Sequence, residues 1–387
     1  MSFTAHHEFA SGYDLVIAGA GPTGLMAGIL AINQGINTLV VEKNTGPIRH
    51  SRSIGIHPPS LALFSDTGLL DSFVASGIVI RTGKACSHHG HTLGKLDIDT
   101  LPSPFNFILT VPQWRTEAIL EEHLSTLDSK ALRRGYEVTA ADPEGRVTVS
   151  GPNGSEHRIS ARFIMACDGK NSLIRRRAGI PFPGKPYPKR YAMGDFLDRT
   201  GYGSDAVVFL TKTGLVECFP LPGDIRRWVA QQDRTHSIAD IASLVRVIRD
   251  RCGTAPDPDE MKMFSEFGVE RYLADTFWKD RLLLAGDAAH VTSPIGGQGM
   301  NLGWLDAGEA VSTIRSVLDG RLGVDDAQQS YTENGRRRAL RVIRRAEFNM
   351  YLGNRNYFPA LRDGLVRMML HSPLREKLRD RFTMQGL

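Results

Sequence analysis

The stretch Leu15-Val-Ile-Ala-Gly-Ala-Gly-Pro-Thr-Gly24 decides the fold of this chain of 387 residues. Its first four residues form a short apolar run that ends at a glycine, which is typical of a buried parallel strand. From Pro22 to about Gln34 the apolar residues follow a helical spacing, and Gly35 ends that helix. A second buried strand is predicted over Thr38–Val41. The order strand, turn, helix, strand predicts a crossover in a parallel sheet.

The three glycines of this turn have separate tasks in a dinucleotide-binding unit. Gly19 permits the tight turn, Gly21 lets the backbone approach a pyrophosphate, and Gly24 lets the helix pack on the strand. The helix start presents free amides to the phosphates. Glu42 ends the second strand, where a carboxylate accepts hydrogen bonds from an adenosine ribose. We expect the dinucleotide to contact Gly19, Gly21, Pro22, Thr23, Gly24, Glu42 and Lys43. A purely structural turn is the alternative.

Two further turns follow predicted buried strands later in the chain. A strand over Arg162–Ala166 runs into Asp168-Gly169, and a strand over Leu282–Ala285 ends at Gly286-Asp287. The glycine-rich stretch Pro294-Ile-Gly-Gly-Gln-Gly-Met-Asn301 follows the second of these turns. Its small residues let a flat ligand ring lie against bare backbone, and a helix that opens there supplies amides. The ordered set of three turns therefore predicts one dinucleotide bound along the chain.

Length, composition and cysteine usage exclude several classes of protein. No apolar run approaches the ~20 residues of a membrane-spanning helix, and residues 1–12 lack the pattern of a secretory signal. We therefore expect a cytoplasmic protein. The cysteines are scattered and form no C-x-x-C pair, so we expect neither a dithiol site nor a metal; they are Cys86, Cys167, Cys218 and Cys252.

The formal net charge of +5 is mild for this length. Much of the excess lies in the arginine-rich run 336–345, where the intervening apolar residues keep a helical spacing. The run has no interleaved aromatic residues and no nucleic-acid-binding motif. We expect a helix with a solvated basic face and no nucleic-acid partner.

Taken with the first turn, two motifs resemble the class A flavoprotein monooxygenases, the para-hydroxybenzoate hydroxylase family. They are Asp168-Gly-x-x-Ser172-x-x-Arg175 and Gly286-Asp287 with its glycine-rich continuation, and the resemblance extends to about residue 350. It implies FAD as cofactor and NADH or NADPH as a transient electron donor. It also implies hydroxylation by O2 of an aromatic or electron-rich small molecule through a C4a-hydroperoxyflavin.

The resemblance also implies roles for single residues. In the family, the Gly-Asp aspartate accepts a hydrogen bond from the FAD ribitol, which fits Asp287 after Gly286. The Asp-Gly motif lies near both flavin and nicotinamide, which fits Asp168, Gly169 and Arg175. The glycine-rich stretch runs beside the pyrophosphate and the isoalloxazine, which fits Pro294, Gly296, Gly297, Gly299, Met300 and Asn301.

Two more residues match positions that contact FAD in this family: Arg52 resembles its FAD-contacting arginine, and Gln113 resembles its flavin-contacting glutamine. Gln113 also fits a T-x-x-Q capping box with Thr110 at the start of a predicted helix, and both roles can coexist. His290 is interpreted as a structural histidine. The sequence assigns no side chain as catalytic base, since the chemistry in this family is carried by the flavin.

The fold class that follows is α/β, of the glutathione reductase-2 type. A Rossmann-like FAD-binding domain with a parallel sheet is combined with an antiparallel-sheet substrate domain and C-terminal helices. The predicted ranges are 1–80, 108–180 and 268–352 for the FAD-binding domain, 81–107 and 181–267 for the substrate domain, and 353–387 for the helical tail. On the substrate sheet, pocket lining and ordinary core packing both stay open for Tyr191, Phe209, Cys218, Phe219 and Trp228.

Other flavin chemistry stays open at this level. Gly201-Tyr-Gly203 lacks the third glycine of a second nucleotide unit, which argues against a disulfide-reductase architecture. The four tryptophans are isolated, so the W-x-W-x-I-P signature of flavin halogenases is missing. Baeyer–Villiger oxidation, epoxidation, prenyl reduction and a non-catalytic FAD-binding role remain as alternatives, and halogenation remains as a less favoured one.

Overall fold

The computed structural model of the protein describes residues 9–46, 53–232, 238–354 and 358–387. The strands are β1 (Gly12–Ala18), β2 (Thr38–Glu42), β3 (Gly55–Ile56), β4 (Ile78–Ile80), β5 (Thr82–Cys86), β6 (Thr92–Asp97), β7 (Ile108–Thr110), β8 (Leu132–Arg134), β9 (Glu137–Ala141), β10 (Arg146–Ser150), β11 (Glu156–Ala166), β12 (Gly184–Leu197), β13 (Ala206–Thr211), β14 (Gly214–Leu221), β15 (Ile225–Gln231), β16 (Met261–Leu273), β17 (Trp278–Lys279), β18 (Leu282–Leu284) and β19 (His290–Val291). The helices are α1 (Pro22–Asn33), α2 (Pro58–Asp66), α3 (Leu70–Ala75), α4 (Gln113–Leu127), α5 (Leu173–Arg177), α6 (Ile241–Cys252), α7 (Gly299–Leu318), α8 (Val324–Leu352), α9 (Pro359–Leu370) and α10 (Leu374–Phe382).

The first sheet brings the three turns of the sequence to one edge. Its main path is β17-β18-β11-β1-β2-β8, and β18, β11, β1, β2 and β8 are mutually parallel along it. Ala18 pairs with Ala166, and Ala166 pairs with Leu284. The turns that follow β1, β11 and β18 therefore leave the sheet side by side, at the carboxyl edge where α/β sheets bind ligands.

The second sheet is long and almost entirely antiparallel. Its order is β19-β16-β12-β15-β14-β13-β5-β6, and among its described strands only β13 and β5 run parallel to each other. One face packs against α6 through a core that includes Phe209, Cys218 and Trp228. The other face packs against α8, α9 and α10 in a layer that includes Tyr191 and Leu215. We call this second layer the helix-side layer.

A third, small sheet of order β3-β7-β4 lies between the two larger ones. The hydroxyl of Thr110 in β7 donates a hydrogen bond to the carbonyl oxygen of Pro220 in β14, at 2.7 Å. Gly55 in β3 pairs with Thr110 and also contacts the glycine-rich stretch through Asn301. The small sheet thus joins the nucleotide turns to the second sheet.

The predicted α/β architecture is confirmed: a parallel sheet, an antiparallel sheet and helices at the carboxyl end are all present. The arginine-rich run does lie on a helix, α8, but its basic face is only partly solvated. Arg338 points inward and forms ion pairs with Glu309 and Asp306. Among the helices of the described ranges, none combines the length and the hydropathy that a membrane-spanning segment requires.

Candidate functional site

The turn between β1 and α1 is as tight as its glycines predict. Gly19 has a φ of +101°, which favours glycine, and a Cβ there would lie 2.4 Å from the carbonyl oxygen of Cys167. A Cβ on Gly24 would lie 1.9 Å from the carbonyl oxygen of Gly19. Beside Gly21, a Cβ would meet nothing within 4 Å among the described residues outside its chain neighbours. Gly19 and Gly24 therefore close the turn, while Gly21 leaves open space for a ligand.

Glu42 fixes this turn from the end of β2. Its side chain is buried, and Oε2 accepts a hydrogen bond from the backbone N–H of Ala20 at 2.8 Å. Oε1 accepts from the backbone and side-chain nitrogens of Asn44, at 2.9 and 2.6 Å. A carboxylate has about four acceptor sites, so these bonds leave capacity for a ribose hydroxyl. The neighbouring Lys43 is exposed.

The Asp168-Gly169 turn begins the short helix α5. Asp168 Oδ2 accepts a hydrogen bond from the backbone N–H of Leu173 at 2.8 Å, and the Ser172 hydroxyl accepts from that of Arg175 at 3.0 Å. Asp168 Oδ1 is buried and has no hydrogen-bond partner among the described residues. Gly169 has a φ of +78°, so the turn needs glycine there.

Arg175 ties this turn to the next one. Its Nη1 donates to the carbonyl oxygen of Ala288 and its Nη2 to that of Lys170, each at 2.9 Å. The guanidinium lies 3.7 Å from the ring centre of Phe182, and burial lowers its pKa. Arg175, for which the family resemblance implies a position near flavin and nicotinamide, thus holds the turns after β11 and β18 together.

Asp287 lies at the turn after β18 with an exposed side chain. Among the described residues, no hydrogen bond or ion pair engages its carboxylate. Partial desolvation by neighbouring protein atoms raises the pKa of Asp287, while His290 and Lys170 lower it. The preceding Gly286 has a φ of +60°, and a Cβ there would lie 2.7 Å from Thr23 Oγ1. The turn after β18 is therefore packed directly on the start of α1.

A buried charge network supports the Gly286-Asp287 turn. Asp306 in α7 accepts hydrogen bonds from Gly286 N at 3.3 Å and interacts with His290 Nε2 at 2.5 Å. The same carboxylate pairs with Arg338. This position supports the interpretation of His290 as a structural histidine, whereas Asp306 is not among the residues predicted from the sequence. The available signal was an aspartate at the helical spacing of Leu302 and Ala310, on an otherwise apolar face of α7.

The glycine-rich stretch forms a turn that leads into α7. Gly296 and Gly297 have φ values of +99° and +65°. Asn301 is fully buried, and its Nδ2 donates to the carbonyl oxygens of Gly55 and Gly297 at 2.9 and 3.0 Å. Its Oδ1 accepts from the backbone N–H of His57 at 2.8 Å. The Asn301 side chain therefore clamps the turn to β3, while Pro294 is exposed and Gly299 and Met300 open α7.

Helix α7 also reaches the first nucleotide turn. The indole N–H of Trp304 donates to the carbonyl oxygen of Pro22 at 3.0 Å. A Cβ on Gly303 would lie 2.4 Å from Thr23 Oγ1. Small residues on α7 thus let the starts of α1 and α7 pack in close contact, although they are far apart in the chain.

Gln113 is the first residue of α4, and the alternative of a capping box with Thr110 is wrong. The Thr110 hydroxyl donates to Pro220, and Pro112 stands at the helix cap. Gln113 instead donates from Nε2 to Glu117 at 2.9 Å, and its Oε1 accepts from Ser53 N at 3.4 Å. The physical reason is that Thr110 is the last residue of β7 and its hydroxyl is already hydrogen-bonded to Pro220 of the second sheet, so it cannot cap the helix. Arg52 lies outside the described residues.

These residues fit an extended FAD. The Asp168 oxygen is buried without a partner, the space beside Gly21 is open, and the Asp287 carboxylate is exposed at the same sheet edge. A family model described as "FAD binding domain" matches residues 12–346.

Similar proteins agree with this match. The chain is 34% identical over 308 residues to an uncharacterized aromatic compound monooxygenase of Bacillus subtilis, covering 76% of this chain and 60% of that protein. It is 32% identical to a rifampicin monooxygenase of Streptomyces venezuelae, covering 80% and 65% respectively. The chain thus spans less than two thirds of the length of these relatives.

Solved structures show the same fold. The anhydrotetracycline hydroxylase of Streptomyces rimosus superposes with a TM-score of 0.79 at 27% identity, covering 97% of this chain and 76% of that one. The p-nitrophenol 4-monooxygenase of Pseudomonas putida superposes with a TM-score of 0.87 at 21% identity, covering 97% and 99%. The chain therefore belongs to the FAD binding domain family, and FAD is its cofactor.

Proposed function

We propose that the protein is an NAD(P)H- and O2-dependent monooxygenase that hydroxylates an aromatic or similarly electron-rich small molecule. The observation that carries the proposal is the meeting of three distant turns at one sheet edge, where Arg175 bonds to Ala288 and Thr23 contacts Gly286. The names of the relatives, which include rifampicin and aromatic compound monooxygenases, support the same reaction class. When bound, FAD would supply reduction by the nicotinamide and activation of O2.

The chain's own residues would bind, orient and shield that chemistry. We propose that Gly21 and the start of α1 receive the pyrophosphate, Glu42 the adenosine ribose and Asp287 the ribitol. Gly296 and Gly297 would expose bare backbone to the flavin ring. The remaining proposed contacts are Gly19, Pro22, Thr23, Gly24, Lys43, Arg52, Gln113, Asp168, Gly169, Arg175, Gly286, Pro294, Gly299, Met300 and Asn301.

We also propose that the two large sheets belong to two domains with different functions. The first sheet and α7 would form the FAD-binding domain, and the second sheet would form the substrate domain. The predicted boundary at residue 267 falls within β16 (Met261–Leu273), so one continuous strand would link the two domains. We further propose a cytoplasmic location, from the composition of the sequence.

The test is rapid anaerobic mixing of the FAD-loaded protein with NADH or NADPH, alone and with a panel of aromatic compounds. We expect the visible flavin absorption to bleach with one donor, and faster with an effective aromatic compound. Reoxidation in isotopically labelled O2 should then place one labelled oxygen in the product.

Other outcomes decide between the alternatives. A flavin that neither donor bleaches would favour a non-catalytic FAD-binding protein and contradict the proposal. Insertion of labelled oxygen next to a carbonyl group, or into an alkene, would point to Baeyer–Villiger oxidation or epoxidation on the same scaffold.

A further inference from the structure

Glu217 occupies an unusual position in the second sheet. Along β14 the side chains alternate between faces, with Val216 and Cys218 in the core beneath α6 and Leu215 in the helix-side layer. Glu217 therefore faces the helix-side layer, although it is only 8% exposed. In the register of the sheet it lies opposite Val208 of β13 and Val229 of β15. A carboxylate thus stands among apolar side chains on a covered sheet face.

This carboxylate has no partner in the described part of the chain. No hydrogen bond or ion pair engages Glu217, and burial alone raises its pKa to about 7. The other buried charges of the sheet are paired: Arg227 with Asp195 and Arg226 with Asp198, each at 2.7 Å. An unpaired buried carboxylate is costly for a folded protein, so a hydrogen-bond donor from a bound ligand would stabilise its charged form.

The position of Glu217 also connects it to the glycine-rich turn. Three residues further along β14, the carbonyl oxygen of Pro220 accepts the hydrogen bond from Thr110. Thr110 pairs with Gly55, which Asn301 bonds to the turn at Gly297. At about 3.3 Å per residue, Glu217 lies about 10 Å along the strand from that junction. Ile295 of the same turn belongs to the helix-side layer that Glu217 faces.

We propose that Glu217 is the polar anchor of the substrate pocket and selects neutral hydroxyarenes. Its carboxylate would accept a hydrogen bond from the ring hydroxyl, while Val208, Val229 and Met193 contact the ring. This inference rests on the proposed monooxygenase function. An anionic ring substituent such as a carboxylate would meet the negative charge of Glu217 and be rejected. The pocket would therefore distinguish a phenol both from its methyl ether and from an aromatic acid.

Other titratable groups face the same layer from neighbouring elements. Tyr191 of β12 has a fully buried hydroxyl without a partner, and burial, with the charge of Glu217, raises its pKa. On the same face, Arg227 lies two residues from Val229 along β15 and is paired with Asp195 of β12. From the helices, Arg362 of α9 donates to the carbonyl oxygens of Leu210 and Thr211, and Glu347 of α8 bonds Tyr187 and Arg271. Among the described residues of this layer, Glu217 is thus the carboxylate without an ion-pair or hydrogen-bond partner, and the Tyr191 hydroxyl near it is also unpaired.

The experiment measures binding without any electron donor. FAD-loaded protein is titrated with 1-naphthol, 1-methoxynaphthalene and 1-naphthoate, and the flavin absorption or fluorescence reports binding. We expect 1-naphthol to bind at least about tenfold more tightly than its methyl ether, since a hydrogen bond to a charged group is worth that factor. Between pH 8 and pH 6 its affinity should fall about tenfold, because protonation of Glu217 removes the charged acceptor. 1-Naphthoate should bind weakest at pH 8.

Matched variants separate the anchor from a structural role. Glu217→Leu should bind naphthol and ether equally and should remain at least as heat-stable as the parent, since it removes an unpaired buried charge. Glu217→Gln should keep part of the preference for naphthol but lose its dependence on pH. Tyr202→Phe, which changes a tyrosine on the opposite, α6 face of the sheet, should behave like the parent.

Three outcomes would overturn the inference: equal binding of naphthol and ether by the parent, no binding of naphthol, or an unchanged preference in Glu217→Leu. Failure of the proposed function looks different, because it shows as a flavin that NADH and NADPH do not bleach. The binding titration uses neither donor, so the two results are independent.

Discussion

The guanidinium of Arg175 donates a hydrogen bond to the carbonyl oxygen of Ala288, which joins the turns after β11 and β18. Arg175→Met keeps the aliphatic stem but removes this bond and the bond to Lys170. Each such charge-assisted bond contributes about 1.5–3 kcal/mol. Asp287, the proposed FAD ligand, directly precedes Ala288 in the turn that this bond holds in place. We therefore expect FAD affinity to fall about tenfold or more. Fluorescence titration of the apoprotein with FAD measures it.

Arg177→Met is the matched control for this prediction. Arg177 lies in the same short helix with an exposed side chain, so its loss should leave FAD affinity unchanged. Equal affinities for the two variants would show that the link to Ala288 does not shape the cofactor site.

Gly21 and Gly24 allow binding and folding to be tested separately. Gly21→Ala places a methyl group in open space, so thermal stability should be retained while the pyrophosphate approach is blocked and FAD affinity drops at least about tenfold. Gly24→Ala forces a methyl group to 1.9 Å from the Gly19 carbonyl oxygen, so it should unfold at markedly lower temperature. Thermal unfolding of both apoproteins checks the contrast. A Gly21→Ala protein with parental FAD affinity would argue against the proposed pyrophosphate position.

Asp287→Asn tests the proposed ribitol acceptor. Loss of the charged acceptor should weaken FAD binding by about 1.5–3 kcal/mol. The surroundings raise the pKa of Asp287, so on acidification its carboxylate is protonated at a higher pH than that of an ordinary aspartate. The FAD affinity of the parent should begin to fall at that higher pH. The Asn variant should lack this acid limb. Asp325→Asn, at an exposed position in the first turn of α8, should leave both affinity and pH dependence as in the parent.

His57 predicts a loss of stability in acid. Burial lowers the pKa of His57 to about 4 in the folded protein, whereas an unfolded chain has about 6.5. Between these values the unfolded state binds more protons, so the free energy of unfolding falls as the pH drops from about 6.5 to about 4. The full effect is about 3 kcal/mol. Urea unfolding at pH 7 and pH 5 should show a smaller difference for His57→Gln than for the parent. His91→Gln, an exposed histidine, should not reduce it.

The glycine turns and their strands could be predicted because their signals are local. A buried strand that ends at glycine, as at Ala18-Gly19 or Leu284-Ala285-Gly286, has few conformational alternatives. The parallel order then brings the turns to one edge, as Ala18, Ala166 and Leu284 show. The existence and position of these elements therefore followed from the sequence.

The direction of single side chains could not be predicted, because tertiary contacts decide it. Thr110 and Gln113 have the spacing of a capping box, yet the second sheet takes the Thr110 hydroxyl. Trp228 lies beneath α6 and Tyr191 in the helix-side layer, although both are apolar positions of strands in the same sheet. Arg338 has the sequence context of a surface arginine, and the positions of Asp306 and Glu309 explain why it points inward.

The contact between Trp304 and Pro22 joins residues 282 positions apart. A chain emerging from the ribosome therefore presents its first nucleotide turn long before helix α7 exists to brace it. Closing a loop of such length costs conformational entropy, so topologies rich in such contacts fold slowly. Cofactor loading should thus follow synthesis rather than guide it, and fragments that end before α7 should be unable to retain the flavin.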